Sequence, residues 1–530
     1  MIKPRPSSAL NIVNLFSTRK GACALPFFAR NPKILINSNY ATARNQYQTA
    51  TYSAEIAPII PKPNLFSLHQ AHSQPGFSFE QTIAAIANHI KTSDKPFENV
   101  MVVAVQHVLG TTVDMFKQMR QLGLEKAIIG GKFYSTHAPC VKELKSLGYI
   151  FIDAPYQLGY GHYDGCIQET VSNIWRTALE EMQFSYNRGK KIDLLIILDD
   201  GGDLISSTPA KLFKDIAYKP NHVIGIEQTR DVSNHPYFKG LPFPIINAAG
   251  SYLKKAIEYP RIATIVANKV ISKVQAKAKT QLPHKPVIGV VGNSTVGQAI
   301  IDKFIAEGYL VLVHDKTNKM KYKKAVWQGD ILSLISNADV IIGCTDTDIT
   351  QEYRNLEAIL DSIKPKYLVS TSSKDIEFNS LLVYIQNQEK QLEQTPNPLK
   401  DVVYTNPDNP TDTKIIILKG GFPIHFDNKR HCVAPKKIWP TYAALMGACL
   451  MAVRAYQRNL ITSANILKLD ATIQLLILRE YQRLNPRDPI ILDIAALTDD
   501  ELKELVLSKS DGIELPDSPV LISTLTYGKE

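Results

Sequence analysis

The segment from residue 287 to residue 315 constrains the fold of this chain more than any other. A short apolar run at 287–291 meets the glycine-containing turn 292–297, which opens a helix-type pattern, and a second apolar run at 309–313 ends in Asp315. A strand, a tight turn into a helix and a second strand form a βαβ unit, whose two strands lie parallel in one sheet. The segment therefore predicts an open α/β sheet.

The turn in this segment also predicts a dinucleotide site. Gly292 and Gly297 allow backbone N–H groups and the start of the helix to approach a pyrophosphate. Asp315 follows Gly292 by roughly 20 residues, where a carboxylate accepts a hydrogen bond from a ribose 2′-hydroxyl and favours NAD over NADP. Ser294 stands at the position of the middle glycine in the usual pattern, and its side chain narrows the space for the pyrophosphate. A Rossmann-like domain that binds no ligand is therefore the alternative. The predicted NAD-binding residues of this domain are Gly292, Ser294, Val296, Gly297, Asp315 and Thr345.

The preceding part of the chain shows the same alternation of strands and helices. Apolar runs occur at 100–105, 127–129, 149–152, 193–198, 223–226 and 244–247. Strands and helices that alternate at this spacing predict a parallel sheet covered on both faces. The predicted fold class is therefore α/β, with two Rossmann-like domains whose parallel sheets are doubly wound, followed by a helical C-terminal region.

The predicted boundaries follow breaks in this pattern. A helical stretch at 259–281 ends before Pro283, which cannot continue a helix, and connects the two sheets. Helices are predicted in the C-terminal region at 442–458, 464–484 and 499–507. The predicted regions are an N-terminal arm (1–75), a substrate-type domain (80–260), a connecting helix (261–285), a NAD-binding domain (286–435) and a return to the substrate domain (436–530).

Composition excludes several classes of protein. The net charge of +10 reflects a basic N-terminal tail and scattered lysines without an RNA- or DNA-binding motif, so no nucleic-acid partner is expected. No apolar run reaches the roughly 18 residues of a membrane span. The six cysteines lie far apart without a CxxC pair, which predicts free thiols in a reducing compartment and no metal site.

The N-terminal segment 1–54 contains no Asp or Glu but carries several Lys and Arg among Ser, Thr, Asn and Ala. Basic, acid-poor, Ser-rich segments are typical of mitochondrial transit peptides. The alternative is a disordered basic arm. We therefore expect a cytoplasmic protein, with a mitochondrial location as the alternative.

A second informative motif, LDDGGDL, occupies residues 198–204. It follows the apolar run at 193–198 and sets three aspartates around two glycines at the carboxyl end of a predicted strand. Ligands of open α/β sheets bind at that edge. Taken alone, the motif indicates an acidic loop or a weak metal site.

The order of motifs along the chain narrows this interpretation. LDDGGDL is followed by an E-x-T segment at 227–229, a lysine-bearing helix, the predicted NAD-binding domain and the helical return. In this order the chain resembles the S-adenosylhomocysteine hydrolase family over residues 95–455. The resemblance implies a homo-oligomer that uses tightly held NAD to oxidise a hydroxyl of a nucleoside-like ligand, eliminate a thiol, add water and reduce the ketone again.

The resemblance also implies roles for single residues. Those implied as catalytic are His107, Asp200, Lys254 and Glu258, those implied as substrate-binding are Thr112, Gln228 and Trp439, and Thr229 is implied as a further NAD contact. The alternative for His107, Asp200 and Lys254 is that they are structural hydrogen-bond partners.

Departures from the family pattern predict altered chemistry. Gln228 stands where the family has a glutamate, and it cannot ionise. Ser373 and Trp439 stand where the family has histidines, and Thr111 replaces a glutamate that contacts the base. Loss of proton-transfer groups costs roughly 10²–10⁴ in rate for each group. The expected function is therefore hydrolase-like with altered or reduced activity, the alternatives being an inactive NAD-binding regulator or scaffold and another NAD-dependent oxidoreductase.

Overall fold

The computed structural model of the protein describes residues 79–154, 163–214, 216–230, 232, 238, 240–277, 285–316, 324–388, 399–408, 413–427, 429–460 and 465–515. The predicted N-terminal arm lies outside these ranges, as do Pro283 and the last part of the predicted connecting helix. The transit peptide and its alternative therefore stay predictions.

Seven parallel strands form the first sheet. They are β1 (Val100–Gln106), β2 (Lys126–Gly131), β3 (Ile150–Ile152), β4 (Leu194–Asp199), β5 (His222–Glu227), β6 (Ile245–Asn247) and, from the C-terminal region, β14 (Ile466–Lys468). Their order across the sheet is β14-β6-β5-β4-β1-β2-β3. Every residue of β1 and β4 is buried, as expected where helices cover both faces of a parallel sheet. The helices of this part are α1 (Phe79–Ile90), α2 (Gly110–Gln121), α3 (Ala138–Ser146), α4 (Tyr163–Asn187) and the single turn α5 (Asp203–Ser206).

A wide turn and a long helix lead from the first sheet to the second. Residues Lys254–Glu258 form a π-helical turn that continues directly into α6 (Tyr259–Lys277). Turns of this kind carry one extra residue and occur often at functional sites. The predicted connecting helix is therefore present, and its first turn is wider than an α-helix.

The second sheet also has seven strands. They are β7 (Ile288–Val291), β8 (Val311–His314), β9 (Val326–Trp327), β10 (Val340–Gly343), β11 (Lys366–Ser370), β12 (Val402–Thr405) and β13 (Lys414–Ile417). The order is β12-β13-β11-β10-β7-β8-β9. The helices are α7 (Thr295–Ala306), α8 (Ile331–Asn337), α9 (Tyr353–Leu360) and α10 (Asn379–Gln388). Each of the two sheets has a hydrophobic core on either face, which is the doubly wound arrangement that the sequence predicts.

One strand departs from the predicted parallel pattern. Strand β12 pairs antiparallel with β13, its only neighbour in the sheet order. Its residues alternate between buried and exposed sides, with the Val403 side of the strand facing solvent. An edge strand that is half exposed can run antiparallel because it needs no crossover helix.

The C-terminal region is helical as predicted, except for one short strand. It contains α11 (Pro435–Gln457), α12 (Ala471–Leu484), α13 (Leu492–Ala495) and α14 (Asp499–Lys509). The predicted helix at 464–484 is wrong in its first part, because residues 466–468 form β14 beside β6. Asp470 then starts α12 by accepting hydrogen bonds from the backbone N–H groups of Thr472 and Ile473 at 2.8 and 3.0 Å.

Helix α11 is the one helix among the described residues that is long and apolar enough to span a membrane. In its most apolar window, 83% of the residues are buried inside the protein. Its central residues pack in the core shared with α1, β1 and β4. Length and composition of this kind are also typical of the core helix of a globular domain, so the helix is weak evidence for a membrane span.

Candidate functional site

A cavity of about 360 Å³ lies where the carboxyl ends of strands from both sheets face each other. Its wall includes His107 after β1, Asp200 after β4 and Gln228 after β5. Ser294 after β7 and Thr345 after β10 come from the second sheet. Ligands of open α/β sheets bind at this edge, so the cavity is the candidate site.

Asp200 is the centre of a buried polar network on the first-sheet side of the cavity. One carboxylate oxygen, Oδ1, lies 2.7 Å from Lys132 Nζ and also accepts a hydrogen bond from the Thr229 hydroxyl. The other, Oδ2, accepts from Gln228 Nε2 at 2.7 Å and lies 3.1 Å from His107 Nε2. A carboxylate has about four lone-pair positions, and these four groups use them. Asp200 therefore fixes its neighbours rather than meeting a ligand directly.

Local backbone geometry places Asp200 in this network. Gly201 and Gly202 have φ angles of +117° and +84°, a region that favours glycine, so the chain can turn sharply after Asp200. The carboxylate of Glu227 then holds the turn, since its Oε1 accepts from the backbone N–H groups of Gly201 at 3.3 Å and Thr229 at 2.8 Å. The glycines of LDDGGDL are thus required by the turn itself.

Burial and nearby charges set the protonation of the network. Burial alone would raise the pKa of Asp200, but His107 and Lys132 hold it well below its usual range. Burial lowers the pKa of His107 to about 3, against the opposing pull of Asp200. The imidazole is therefore neutral at physiological pH. The hydrogen-bond network assigns its proton to Nε2, facing Asp200, while Nδ1 lies 2.6 Å from the Ser135 hydroxyl and accepts from it.

Lys254 and Glu258 form a second ion pair on the cavity wall. Lys254 Nζ lies 3.2 Å from Glu258 Oε2 and also donates to the backbone carbonyl of Gln228. The hydroxyl of Thr441 donates to the same Glu258 oxygen at 2.8 Å. Burial opposes the charge of Lys254, but the carboxylates of Glu258 and Asp200 outweigh it and raise the pKa of the lysine. Lys254 is therefore an ammonium group facing the cavity.

The glycine turn on the other side of the cavity has the geometry that a dinucleotide requires. Gly292 has a φ angle of +103°, and a Cβ atom there would lie 2.6 Å from the Cys344 carbonyl oxygen. A Cβ atom on Gly297 would lie 2.2 Å from the Gly292 carbonyl oxygen. Ser294 caps α7 by accepting from the Gly297 N–H at 3.4 Å, so its side chain turns toward the helix end. The start of α7 thus stays open toward the cavity through Ser294 and Val296.

Asp315 and Thr345 lie next to the glycine turn, and of the two Thr345 lines the cavity. Asp315 follows β8, and one of its oxygens accepts the Asn293 N–H at 2.6 Å, which ties the acid to the glycine turn. Thr345 is held by Glu377, whose carboxylate accepts from the Thr345 N–H at 2.7 Å and from its hydroxyl at 2.8 Å. These residues fit a dinucleotide, and the predicted Rossmann-like fold is confirmed.

Several predicted residues lie away from the cavity wall. Trp439 is only 1% exposed and packs in the core, with its ring 6.2 Å from that of Tyr481. Thr112 lies beneath the wall, where its hydroxyl donates to the His107 carbonyl at 2.5 Å. The predicted residues that line the cavity are His107, Asp200, Gln228, Thr229, Lys254, Glu258, Ser294, Val296 and Thr345.

The sequence interpretation missed other residues of the site. The sequence did not indicate Lys132 and Glu377, because neither belongs to a recognisable motif. Tyr134 and His425 line the cavity too, and the ring of Phe426 packs 4.2 Å from those of both His107 and His425. The sequence did offer one indication for Lys132, because this charged residue directly follows the apolar strand β2. Among the described residues, no group of three or more His, Cys, Asp or Glu side chains is arranged to hold a metal ion.

Comparisons with known proteins give no family by sequence. No family model matches the chain. Two uncharacterised proteins, from two strains of Mycobacterium tuberculosis, are each 27% identical to it over 370 residues, which is 68% of this chain and 65% of the relatives. The chain thus spans less than two thirds of the length of these curated relatives.

The solved structures that it resembles include dehydrogenases. One is a D-lactate dehydrogenase of Treponema pallidum, with 13% identity, a TM-score of 0.29 and coverage of 68% of this chain and 97% of the other. Another is a D-isomer specific 2-hydroxyacid dehydrogenase of Lactobacillus delbrueckii ssp. bulgaricus in an NAD-complexed form, with 10% identity, a TM-score of 0.31 and coverage of 68% and 98%.

The expected membership in the S-adenosylhomocysteine hydrolase family is wrong. The structural neighbours are D-2-hydroxyacid dehydrogenases instead. The expected hydrolase chemistry and nucleoside-like ligand rested on that resemblance and lose their support with it. The order of motifs misled because a glycine turn and an acidic strand end are features of Rossmann-like sheets in general.

Proposed function

We propose that this protein is an NAD-dependent oxidoreductase that interconverts a hydroxyl and a carbonyl group on a small molecule. The observation that carries the proposal is the Lys254–Glu258 ion pair, which shares one cavity with the start of α7 and the glycine turn. A proton-transfer group and a dinucleotide site in one enclosed space are the two parts that such a reaction requires.

The cofactor side is built by the second sheet. Gly292 and Gly297 would admit the pyrophosphate, Asp315 would meet a ribose hydroxyl, and Thr345 lies on the cavity wall beside them. Bound NAD would supply a hydride acceptor, and its reduced form a hydride donor. Thr229, which bonds Asp200, reaches the same space from the first sheet.

Lys254 is the proposed proton-transfer residue. An ammonium group has three N–H donors, and Lys254 uses two of them on the Gln228 carbonyl and on Glu258. The third is left for the oxygen of a ligand in the cavity. In carbonyl reduction Lys254 donates a proton to that oxygen, and in alcohol oxidation the neutral amine takes it back. Glu258 holds the amine in place and stabilises its charge.

The Asp200 network orients the same ligand from the opposite wall. His107 is neutral and fixed between Asp200 and Ser135, so it presents a rigid, uncharged ring edge to the cavity. Gln228 is fixed in turn, since its Oε1 accepts from Gln106 at 2.9 Å. Rigid groups of this kind lower the cost of positioning a reactant.

The test is NADH oxidation, followed by nicotinamide absorbance, with a panel of small ketones and aldehydes. Lys254→Met should reduce turnover by about 10²-fold or more while NAD affinity stays within about twofold. Lys255→Met is the matched control, because Lys255 is the next residue and pairs with Asp511 at 2.6 Å outside the cavity. NAD that binds but is never reduced or oxidised with any of these compounds would favour the inactive regulator instead.

A further inference from the structure

Lys132 is a buried cation that takes no part in the proposed reaction. It lies directly after β2, is 3% exposed and places its Nζ 2.7 Å from Asp200 Oδ1. Its backbone carbonyl accepts from the Thr136 hydroxyl at 2.8 Å and lies 3.3 Å from the hydroxyl oxygen of Ser135, whose proton goes to His107. Lys132 thus contacts both ends of the arrangement that holds His107, through Asp200 on one side and Ser135 on the other.

A buried lysine needs a compensating charge, and Asp200 supplies it. Leaving either member of a buried ion pair alone is strongly destabilising. Asp200 could also be balanced by a proton on His107, whose Nε2 lies 3.1 Å from Oδ2. Lys132 and a protonated His107 are therefore two competing ways to neutralise the same carboxylate.

The other charged groups around His107 favour neutralisation of Asp200 by Lys132. The charged and titratable side chains that act on the ring are Asp200 after β4, Lys132 after β2, Lys254 in the π-helical turn, and Lys419 and His425 in the segment after β13. Four of these five are basic, and Asp200 is the one acid. A proton on the His107 ring would be repelled by Lys132, Lys254 and Lys419 together, so these charges disfavour the protonated ring.

We propose that Lys132 is a positioning residue that keeps Asp200 an anion and His107 a neutral imidazole. The proposal rests on the proposed function in one respect. In that function, Lys132 would keep the charge of the cavity wall constant while Lys254 gains and loses a proton. The charge state itself is a property of the protein without any ligand, and it can be measured separately from turnover.

The experiment is an NMR titration of the histidine rings in ligand-free protein, with His107→Gln used to assign the signal of His107. In Lys132→Met the pKa of His107 should rise by about one unit or more, which is a tenfold gain in proton affinity. Lys132→Arg keeps the charge and should leave the titration near that of the wild type. The double variant Lys132→Met with Asp200→Asn removes both charges, and the pKa of His107 in it should not exceed that of the wild type.

The outcomes separate the two proposals. A His107 titration that is unchanged in folded Lys132→Met overturns the role of Lys132, whatever the turnover shows. Should Lys132→Met fail to fold, the double variant decides, because a His107 pKa well above that of the wild type in it overturns the role. A raised His107 pKa in Lys132→Met without any NADH oxidation by the wild type supports Lys132 and leaves only the proposed reaction in doubt. Where turnover is measurable, Lys132→Met should lower kcat at about pH 4, where His107 becomes charged in the variant, more than at alkaline pH.

Discussion

At the scale of single residues, the site is a set of paired charges rather than of isolated reactive groups. Asp200 is paired with Lys132, and Lys254 with Glu258, at 2.7 and 3.2 Å. Because Lys132 lowers the pKa of Asp200 and Glu258 raises that of Lys254, substitution of either partner should change the pH at which the reactive residue works.

Glu258→Gln should therefore shift the pH profile of carbonyl reduction. Lys254 donates a proton only as an ammonium, and Glu258 is the foremost of the groups that raise its pKa. Without that carboxylate the pKa of Lys254 falls, so the rate of reduction should decline with rising pH about one unit earlier. The measurement is kcat against pH. Glu307→Gln is the control, since Glu307 forms the same i,i+4 pair with Lys303 on the surface, and an identical shift there would contradict the assignment.

Glu377 predicts a pH dependence of stability. Burial raises the pKa of this carboxyl to about 7, although Ser372 and Thr345 donate hydrogen bonds to it. The folded protein thus holds a proton that the unfolded chain releases near its ordinary value of 4.5. The contribution of Glu377 to the free energy of unfolding is fully present below pH 4.5. It falls as the pH rises toward 7 and is constant above about 7.

Glu377→Gln should flatten that decline, because an amide does not titrate. The change is at most about 1.4 kcal/mol for each unit of pKa shift. The measurement is urea unfolding of both proteins at several pH values between 4.5 and 8. Parallel curves for the variant and the wild type would show that Glu377 titrates normally.

At the scale of elements, the turn from β7 into α7 is the part most sensitive to change. Gly297→Ala should abolish or strongly weaken NAD binding, because the new Cβ would lie 2.2 Å from the Gly292 carbonyl oxygen and push the helix start out of place. Gly329→Ala is the matched control, since no atom lies within 4 Å of a Cβ built there. The measurement is calorimetric titration with NAD. Equal affinities for the two variants would refute the cofactor site.

The elements themselves were largely predictable from the sequence. The central strands β1, β4 and β7 are apolar runs of the length that parallel strands need, and Thr498 with Glu501 gives α14 its capping box. Strand β14 was not predictable, because three residues beside a long helical pattern carry no periodicity of their own. It becomes a strand through pairing with β6, which is a tertiary effect.

The candidate site was predictable only in part. His107, Asp200 and Lys254 were found through a resemblance that proved wrong, but they do meet at one cavity, since strand ends converge in this fold. Lys132 and Glu377 could not be found, because their importance comes from the carboxylate or loop that they meet in space. Trp439 was misplaced as a ligand contact because nothing in the sequence tells which face of α11 is buried.

At the scale of the whole molecule, the walls of the cavity are tied together across the two sheets. The hydroxyl of Tyr134, near β2, donates to the Ser373 carbonyl at 2.6 Å after β11. Arg230, after β5, lies 3.2 Å from Asp346, which follows β10. Because these bonds already fix the two walls, a ligand that binds between them loses less free energy to ordering the site.

Tyr134→Phe should therefore weaken ligand binding more than it weakens the fold. It leaves the Ser373 carbonyl without this donor, which costs about 1–3 kcal/mol where the walls meet, or up to roughly a hundredfold in Kd for NAD. Tyr149→Phe is the control, because this buried hydroxyl bonds the carbonyls of Phe116 and Leu124 within the first-sheet part at 3.2 and 3.3 Å. The prediction fails if NAD affinity drops equally in both variants.

The position of β14 also has a consequence for synthesis of the chain. The first sheet gains its last strand, and its main core gains α11 and α12, only from residues beyond 434. The second sheet, with its helices, lies wholly between residues 288 and 417. On the ribosome the part translated second can thus complete its core before the part translated first. Until then one face of the early strands lacks two of its covering helices, and transiently exposed apolar surface of this kind is prone to aggregation.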